Sequence, residues 1–266
     1  MSYKIYKKGL IWDGAPHEEK KLSAFEMKHL LKNNKALLIR NVYNFDGEDH
    51  TSFWYIIKDQ FGDMEELSGN TRSKIRRSLK LLEIKQIDKQ TLIEKGYEVH
   101  IKALENYKNS NSKSFTKDIF INNLEISDSR SEFWGCFDKQ NNKLIAYACN
   151  IVYEDMCDYS TLKAIPEYLT GYYPFYGLIY TMNKYYLEEL GLRYVSDGAR
   201  SITEHSNIQP FLIEKFKFRR SYCNFAIEYD FRLKVLIFLL FPFRKFISNL
   251  KISALLRQEG ISRSID

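Results

Sequence analysis

The order of elements in the second half of the chain constrains the fold more than any other feature. Apolar runs predict strands over Glu132–Asp138 and Lys143–Tyr153, joined through the turn KQNN at 139–142. A third strand covers Asp158–Ala164. After a Tyr-rich loop, Leu178–Leu190 reads as a helix with Ile179, Met182, Tyr186 and Leu190 on one face and Gly191 placed to end it. A strand over Tyr194–Arg200 contains Asp-Gly. A helix capped at Asn207, with Pro210 three positions in where no intrahelical donor is lost, runs to Phe216. The alternating stretch Tyr222–Phe231 closes the series. A hairpin first and a βαβ crossover after it build a mixed sheet with helices packed on it, an α/β (α+β) architecture.

The first half is less regular. Strands are expected at Ala36–Val42 and Ser52–Lys58, the second containing the apolar run FWYII that suits burial on both faces. In the helix Thr71–Leu82, Ile75, Leu79 and Leu82 face a core while Arg72, Arg76 and Lys80 form a basic stripe. A strand follows at Glu83–Asp88. Helices over Gln90–Tyr107 and Thr116–Glu125 flank the polar segment NSNSKS, a loop or lid.

Hydrophobic content of 44% with 28% charged residues belongs to a globular chain and excludes a disordered one. The 19 Tyr and 18 Phe fill a core or line a groove. A net charge of +6 favours an anionic partner: nucleic acid, a phosphorylated cofactor or a membrane surface. The start carries no apolar stretch of signal-peptide length and no segment approaches the roughly 20 apolar residues of a membrane span, which places the chain in the cytoplasm. Cys136, Cys149, Cys157 and Cys223 form no C-x-x-C pair and read as reduced core thiols; the five His have no metal-ligand spacing.

Read with its residues, this order resembles the GNAT superfamily, and within it the FemAB/FemX-like branch that moves aminoacyl or acyl groups onto amines. The matching segments are TRSKIRRSLKLLEIKQI, the hairpin FWGCFDKQNNKLIAYACNIVYE, the loop and helix TGYYPFYGLIYTMNKYYLEELG, the strand YVSDGAR and the closing FLIEKFKFRR, spanning Ser68 to Phe231. The resemblance implies a GNAT-like acyl-CoA N-acyltransferase fold with helices on a mixed, mostly antiparallel sheet. It implies one domain over residues 1–231, with an N-terminal half (1–110) and a core (115–231), followed by a tail at 232–266. It also implies an acyl- or aminoacyltransferase acting on an amine, of a cell-envelope precursor for example. No tightly bound cofactor is implied; acyl-CoA or aminoacyl-tRNA would serve as co-substrate. Two departures stand out. The Q/R-x-x-G-x-G/A signature of acetyl-CoA-dependent members is absent between Ile165 and Gly177, and the chain has room for one such domain where FemAB-like proteins usually have two. A non-catalytic binding module of the same fold and an ordinary acetyl-CoA-dependent N-acetyltransferase are the alternatives; a nucleic-acid-binding protein rests on charge alone.

Acyl transfer to an amine needs a base for the ammonium, donors for the oxyanion and an acid for the leaving group. The end of the Tyr194–Arg200 strand falls where such sheets bind ligands. Asp197 there either orients the amine or acts as base, or belongs to a turn; Arg200 either clamps a carboxylate or phosphate or is a surface charge. Glu204 and His205 precede a helix start, His205 as a general base or as a solvated side chain. Tyr222 is the acid or a core tyrosine. Thr161, Lys163, Tyr172, Tyr173, Tyr176 and Gly177 are the donor-binding candidates, with backbone N–H groups at the helix start for phosphate, or else an aromatic packing corner. Arg72, Arg76, Arg77 and Lys80 are a solvated face or a site for tRNA phosphates or a lipid pyrophosphate.

The tail carries VLIFLLFPF at 235–243, too short to span a bilayer. Phe243, Phe246, Ile247 and Leu250 continue it at helical spacing, and basic residues accompany it with no acid from Arg232 to Arg257. The pattern is an amphipathic helix at an anionic membrane surface on its inner face, over residues 232–257, or a helix docked on the body or in a dimer contact.

Overall fold

Two lysines at positive φ, Lys7 at 47° and Lys8 at 66°, turn the first hairpin. That is the conformation a two-residue primed turn needs to match the twist of its strands. It pairs β1 (Tyr3–Tyr6) antiparallel with β2 (Gly9–Trp12). Ser23 then opens α1 (Ala24–Asn34). Its Oγ accepts from the Glu26 N–H at 3.2 Å and the Glu26 carboxylate accepts from the Ser23 N–H at 2.7 Å, a reciprocal cap. In chain order there follow β3 (Leu38–Tyr43), β4 (Phe53–Lys58), α2 (Gly69–Leu81), β5 (Leu82–Ile87), α3 (Lys89–Glu105) and α4 (Lys117–Glu125). The second half contains β6 (Ser131–Asp138), β7 (Leu144–Val152), β8 (Met156–Ala164), α5 (Pro174–Asn183), β9 (Tyr194–Ala199), α6 (Ile208–Phe216), β10 (Arg219–Tyr229), α7 (Phe231–Leu240) and α8 (Leu250–Ser262).

The computed structural model describes residues 3–105, 115–200 and 208–264. They form two compact units, one of Met1–Ile56, Ala199–Asn207 and Arg220–Asp266, the other of Ile57–Gly198 and Ile208–Arg219. The expected NSNSKS loop at 109–114 lies outside the described residues.

In the second unit the strand order is β9-β8-β7-β6-β5; β5 to β8 are antiparallel neighbours and β8 and β9 run parallel. The sheet is therefore mixed and mostly antiparallel, as the element order implies. Helices α3 and α4 bury Leu92, Val99, Phe120 and Leu124 against Phe133, Phe137 and Tyr147 of the sheet, each large apolar side chain contributing roughly 1.5–3 kcal/mol. Side chains alternate along β6. Phe133 joins that core, whereas Trp134 donates to Tyr186 Oη at 2.9 Å, on the segment after α5.

Helix α5 starts four residues before the position the periodicity predicts. Pro174 occupies its first turn, where a missing N–H costs nothing, and Tyr173 before it is left-handed at φ 53°. From Lys184 to Glu189 the helix widens into a π turn. Tyr186 sits in that turn, fully buried, donating to Glu132 Oε2 at 2.7 Å and accepting from Asn150 Nδ2 at 3.3 Å as well as from Trp134. Gly191 at φ 66° ends it.

In the first unit β1, β2, β3 and β10 lie in that order, with β2–β3 parallel and β3–β10 antiparallel. The Glu19 carboxylate is buried against β3, accepting from Tyr3 Oη at 2.8 Å and Asn41 Nδ2 at 3.0 Å. Burial raises its pKa to about 7, against the lowering effect of those two hydrogen bonds.

The C-terminal segment departs from one continuous amphipathic helix. Pro242 stands in a 3-10 stretch, Phe241–Phe246, and Ile247 is extended, so α7 and α8 are separate helices. They pack on the same unit: Ile237, Phe241 and Leu256 cluster with Leu38 and Tyr229. The four cysteines are free thiols on β6, β7, β8 and β10. Among the described residues no helix is long and apolar enough to cross a membrane.

Candidate active site

The parallel ladder between β8 and β9 is short. Met156, Cys157 and Asp158 pair with Tyr194, Val195 and Ser196, and β8 then runs on to Ala164 beside β7. Where that ladder ends, an aspartate stands on each of the two neighbouring strands, near enough for the charge of Asp158 to act on Asp197. Asp158 is the last residue of the ladder on one strand and Asp197 follows its last residue on the other. Gly198 turns there at φ 77°, with Asp158 Oδ1 3.9 Å from where its Cβ would be. The Gln209 amide, on α6, donates to the Asp197 carbonyl at 3.4 Å.

This setting changes the chemistry of Asp197. The side chain is half-buried, and removal from water raises its pKa to about 7; the Asp158 charge pushes the same way and hydrogen bonding from Gln209 opposes it. A carboxylate titrating there can take a proton from an amine and give it up again near neutral pH.

The loop before α5 is tied down by α2. Arg77 Nε donates to the Gly171 carbonyl at 2.6 Å, and Lys74 Nζ stands 5.3 and 5.0 Å from the ring centres of Tyr173 and Tyr176 and 3.4 Å from Tyr176 Oη. Tyr172 packs edge-on against Tyr168 at 4.9 Å. Of the basic stripe, Arg77 thus reaches the donor-binding candidates, whereas Arg76 and Lys80 are exposed and Arg72 is half-buried. Lys74 carries no signal in the stripe pattern; its position three residues before Arg77 aims both at one loop. Gly177 is buried where α2 crosses α5, and a Cβ there would meet Ser78 Oγ at 2.4 Å.

Thr161 and Lys163 project from β8 beside Cys149 and Tyr147 of β7. Next to them His100 of α3 sits 2.5 Å from Tyr147 Oη through Nδ1 and stacks on Phe115 at 4.5 Å. Burial, and secondly the charge of Lys163, hold its pKa down at about 4, so the ring is neutral at pH 7. Sequence periodicity alone marks His100 only as a residue of a helix.

The remaining candidates lie in the first unit or outside the described residues. The Arg200 guanidinium donates to the Ser52 carbonyl at 2.8 Å and to Ser52 Oγ at 3.3 Å, and its N–H to the Trp54 carbonyl at 2.7 Å. These contacts make it a cross-link of its own unit. Tyr222 stacks on His50 with ring centres 4.3 Å apart. Glu204 and His205 lie outside the described residues.

No protein-family profile matches the chain, and no curated protein matches it in sequence. Solved structures do match in fold. FemX superposes with a TM-score of 0.54 at 12% identity, covering 85% of this chain and 78% of that one. The L-PGS of Bacillus licheniformis gives 0.52 at 12% identity, covering 98% and 85%. What is shared at these identities is the fold, and the chain has a GNAT/FemX-like fold.

Proposed function

We propose that the chain is an acyltransferase that moves an acyl or aminoacyl group onto an amine, with Asp197 as its base. The observation that carries this reading is the half-buried Asp197, its pKa raised by burial and by the charge of Asp158, at the end of the parallel ladder in a fold shared with FemX. The charges of Asp158 and Asp197 attract an ammonium acceptor. Asp197 removes the ammonium proton; the amine nitrogen attacks the donor carbonyl, forming the C–N bond as the C–O or C–S bond breaks. The leaving atom takes back the proton held at Asp197, and the carboxylate so restored accepts the second proton of the new C–N nitrogen and passes it to water, leaving the neutral amide. Arg77, Lys74 and the start of α5 are the proposed seat of the donor's phosphates.

The loop at 165–177 lacks the glycines that wrap acetyl-CoA, which favours an aminoacyl-tRNA or another acyl donor; the acceptor is an amine, of a cell-envelope precursor in our reading. Four free cysteines suit a reducing cytoplasmic compartment. The test is turnover by Asp197→Asn and Asp158→Asn with aminoacyl-tRNA or acyl-CoA donors and amine acceptors, read beside melting temperature. Loss of transfer without loss of stability supports the assignment; wild-type turnover by both variants rules it out. Calorimetric titration with acetyl-CoA separates the donors, since tight stoichiometric binding would move the chain to the ordinary N-acetyltransferases.

A further inference from the structure

The outer face of the C-terminal helices has the wrong polarity for water. Ile237, Phe241 and Leu256 are buried against the first unit, and the opposite face of a helix lying on a protein body is ordinarily polar. Here it carries Phe231 at 77%, Phe238 at 71% and Phe246 at 86% exposure, with Leu239, Phe243 and Leu250 also exposed. A patch of this kind marks an interaction surface.

Beside it lies a groove of about 680 Å3 between α1 and the β10–α7 junction, lined by Lys28 and Lys32 of α1, its C-cap Lys35, Phe231, Arg232 and Lys234, with Glu228 and Asp230 as its acidic residues. Lys234 is paired with Glu228 at 2.7 Å and Asp230 caps α7. Lys28, Lys32, Lys35 and Arg232 form no ion pair among the described residues. Phe231 belongs to groove and patch alike, so the cations and the apolar face are one surface. No acidic residue occurs between Phe231 and Arg257.

We propose that this surface binds an anionic phospholipid leaflet: the exposed aromatic residues of α7 and the 3-10 stretch enter the acyl boundary, and the groove takes a lipid phosphate headgroup. Charge complementarity selects this occupant. A second copy of the chain would bring two basic faces together, which like-charge repulsion opposes. The proposal concerns the first unit alone and stands whether or not the transferase reading does.

Co-sedimentation of the full chain with vesicles tests it, using phosphatidylcholine alone and phosphatidylcholine with phosphatidylglycerol, at low and high salt. Two double variants accompany it, Phe238→Ser with Phe246→Ser and Lys28→Glu with Lys32→Glu, all at exposed or groove positions, with melting temperature as the control for folding. The expected result is binding to the anionic vesicles at low salt, released by high salt, and weakened about tenfold or more in each double variant. Four results would overturn the proposal. They are no binding to anionic vesicles, equal binding to neutral ones, binding indifferent to the lysine reversals, and displacement by inorganic phosphate at constant ionic strength. Self-association abolished by the Phe238→Ser and Phe246→Ser pair, with no vesicle binding, would identify a second copy as the occupant instead.

Discussion

Ser78 and Gly177 face each other so closely across α2 and α5 that a Cβ on Gly177 would stand 2.4 Å from Ser78 Oγ and 2.5 Å from Ile84 Cδ1. Both neighbours are held by packing, and Ser78 is fully buried with its hydroxyl unbonded. Gly177→Ala is therefore expected to cost about 1–3 kcal/mol, read as a lowered urea midpoint with unchanged slope. Ser78→Ala by itself should be nearly neutral, because it removes an unsatisfied hydroxyl. Combined, the two changes should cost less than their sum, since the worst overlap has gone.

Asp197 links activity and stability to pH with opposite signs. As a base it works deprotonated, so kcat/KM should rise through about pH 7. The folded state binds its proton more tightly than the unfolded chain does, where an aspartate titrates near 4. That stabilisation is fully present below about pH 4 and is lost as the pH rises through about 7. Asp197→Asn, which cannot ionise, should be more stable than the wild type above pH 7, by on the order of 1 kcal/mol after solvent screening. Thermal melts at pH 5 and pH 8 check the crossing, and a variant equally unstable at both would contradict it.

Arg200 acts instead as a cross-link. Its guanidinium makes two hydrogen bonds to Ser52, one of them to the backbone carbonyl, and losing that charged donor leaves an acceptor unpaired, while the main-chain bond to Trp54 survives. Arg200→Ala should lower stability by about 1–3 kcal/mol, seen as a drop in Tm. An unchanged Tm would return Arg200 to the list of ligand-binding residues suggested by its place at a strand end.

The C-terminal helices hold their unit together as well as forming its outer surface. Removing residues 235–266 strips Ile237, Phe241 and Leu256 from Leu38 and Tyr229, and large apolar deletions of this kind cost about 2–5 kcal/mol per side chain. The truncated chain should lose cooperative unfolding of the first unit in a urea titration. Full retention of wild-type stability would show these contacts to be weak.

The hairpin of β6 and β7 and the strand β8 were legible to within about two residues, because β6 and β7 are apolar runs of strand length and the turn residues between them are of the expected kind. The first hairpin was not. Its turn uses Lys7 and Lys8 at positive φ, where glycine or asparagine would have signalled it. Helix α1 had a readable start in the Ser23–Glu26 capping pair, but an apolar stripe limited to Met27 and Leu31 in the core hid it. The early start of α5 depends on the left-handed Tyr173, a conformation with no local signature in a tyrosine. Of the site, Asp197 could be picked out from its strand end. Asp158 could not, because its place beside the end of β9 follows from the register that sets it opposite Ser196, and register between strands more than thirty residues apart is a tertiary property.

The first unit is built from three separated segments of chain, while the second is continuous apart from Ile208–Arg219. During synthesis β3 emerges early, but its partner β10 pairs Asn224 with Tyr43 and so appears about 180 residues later. At about 5–20 residues per second that is a wait of roughly 10–40 seconds. Throughout it one side of β3 has no native neighbour, an open edge of the kind that recruits other chains. The nascent first unit therefore spends its youth needing a chaperone or a slow, dilute start, and refolding from denaturant, where both ends are present at once, should give a higher yield of monomer than coupled translation at high expression.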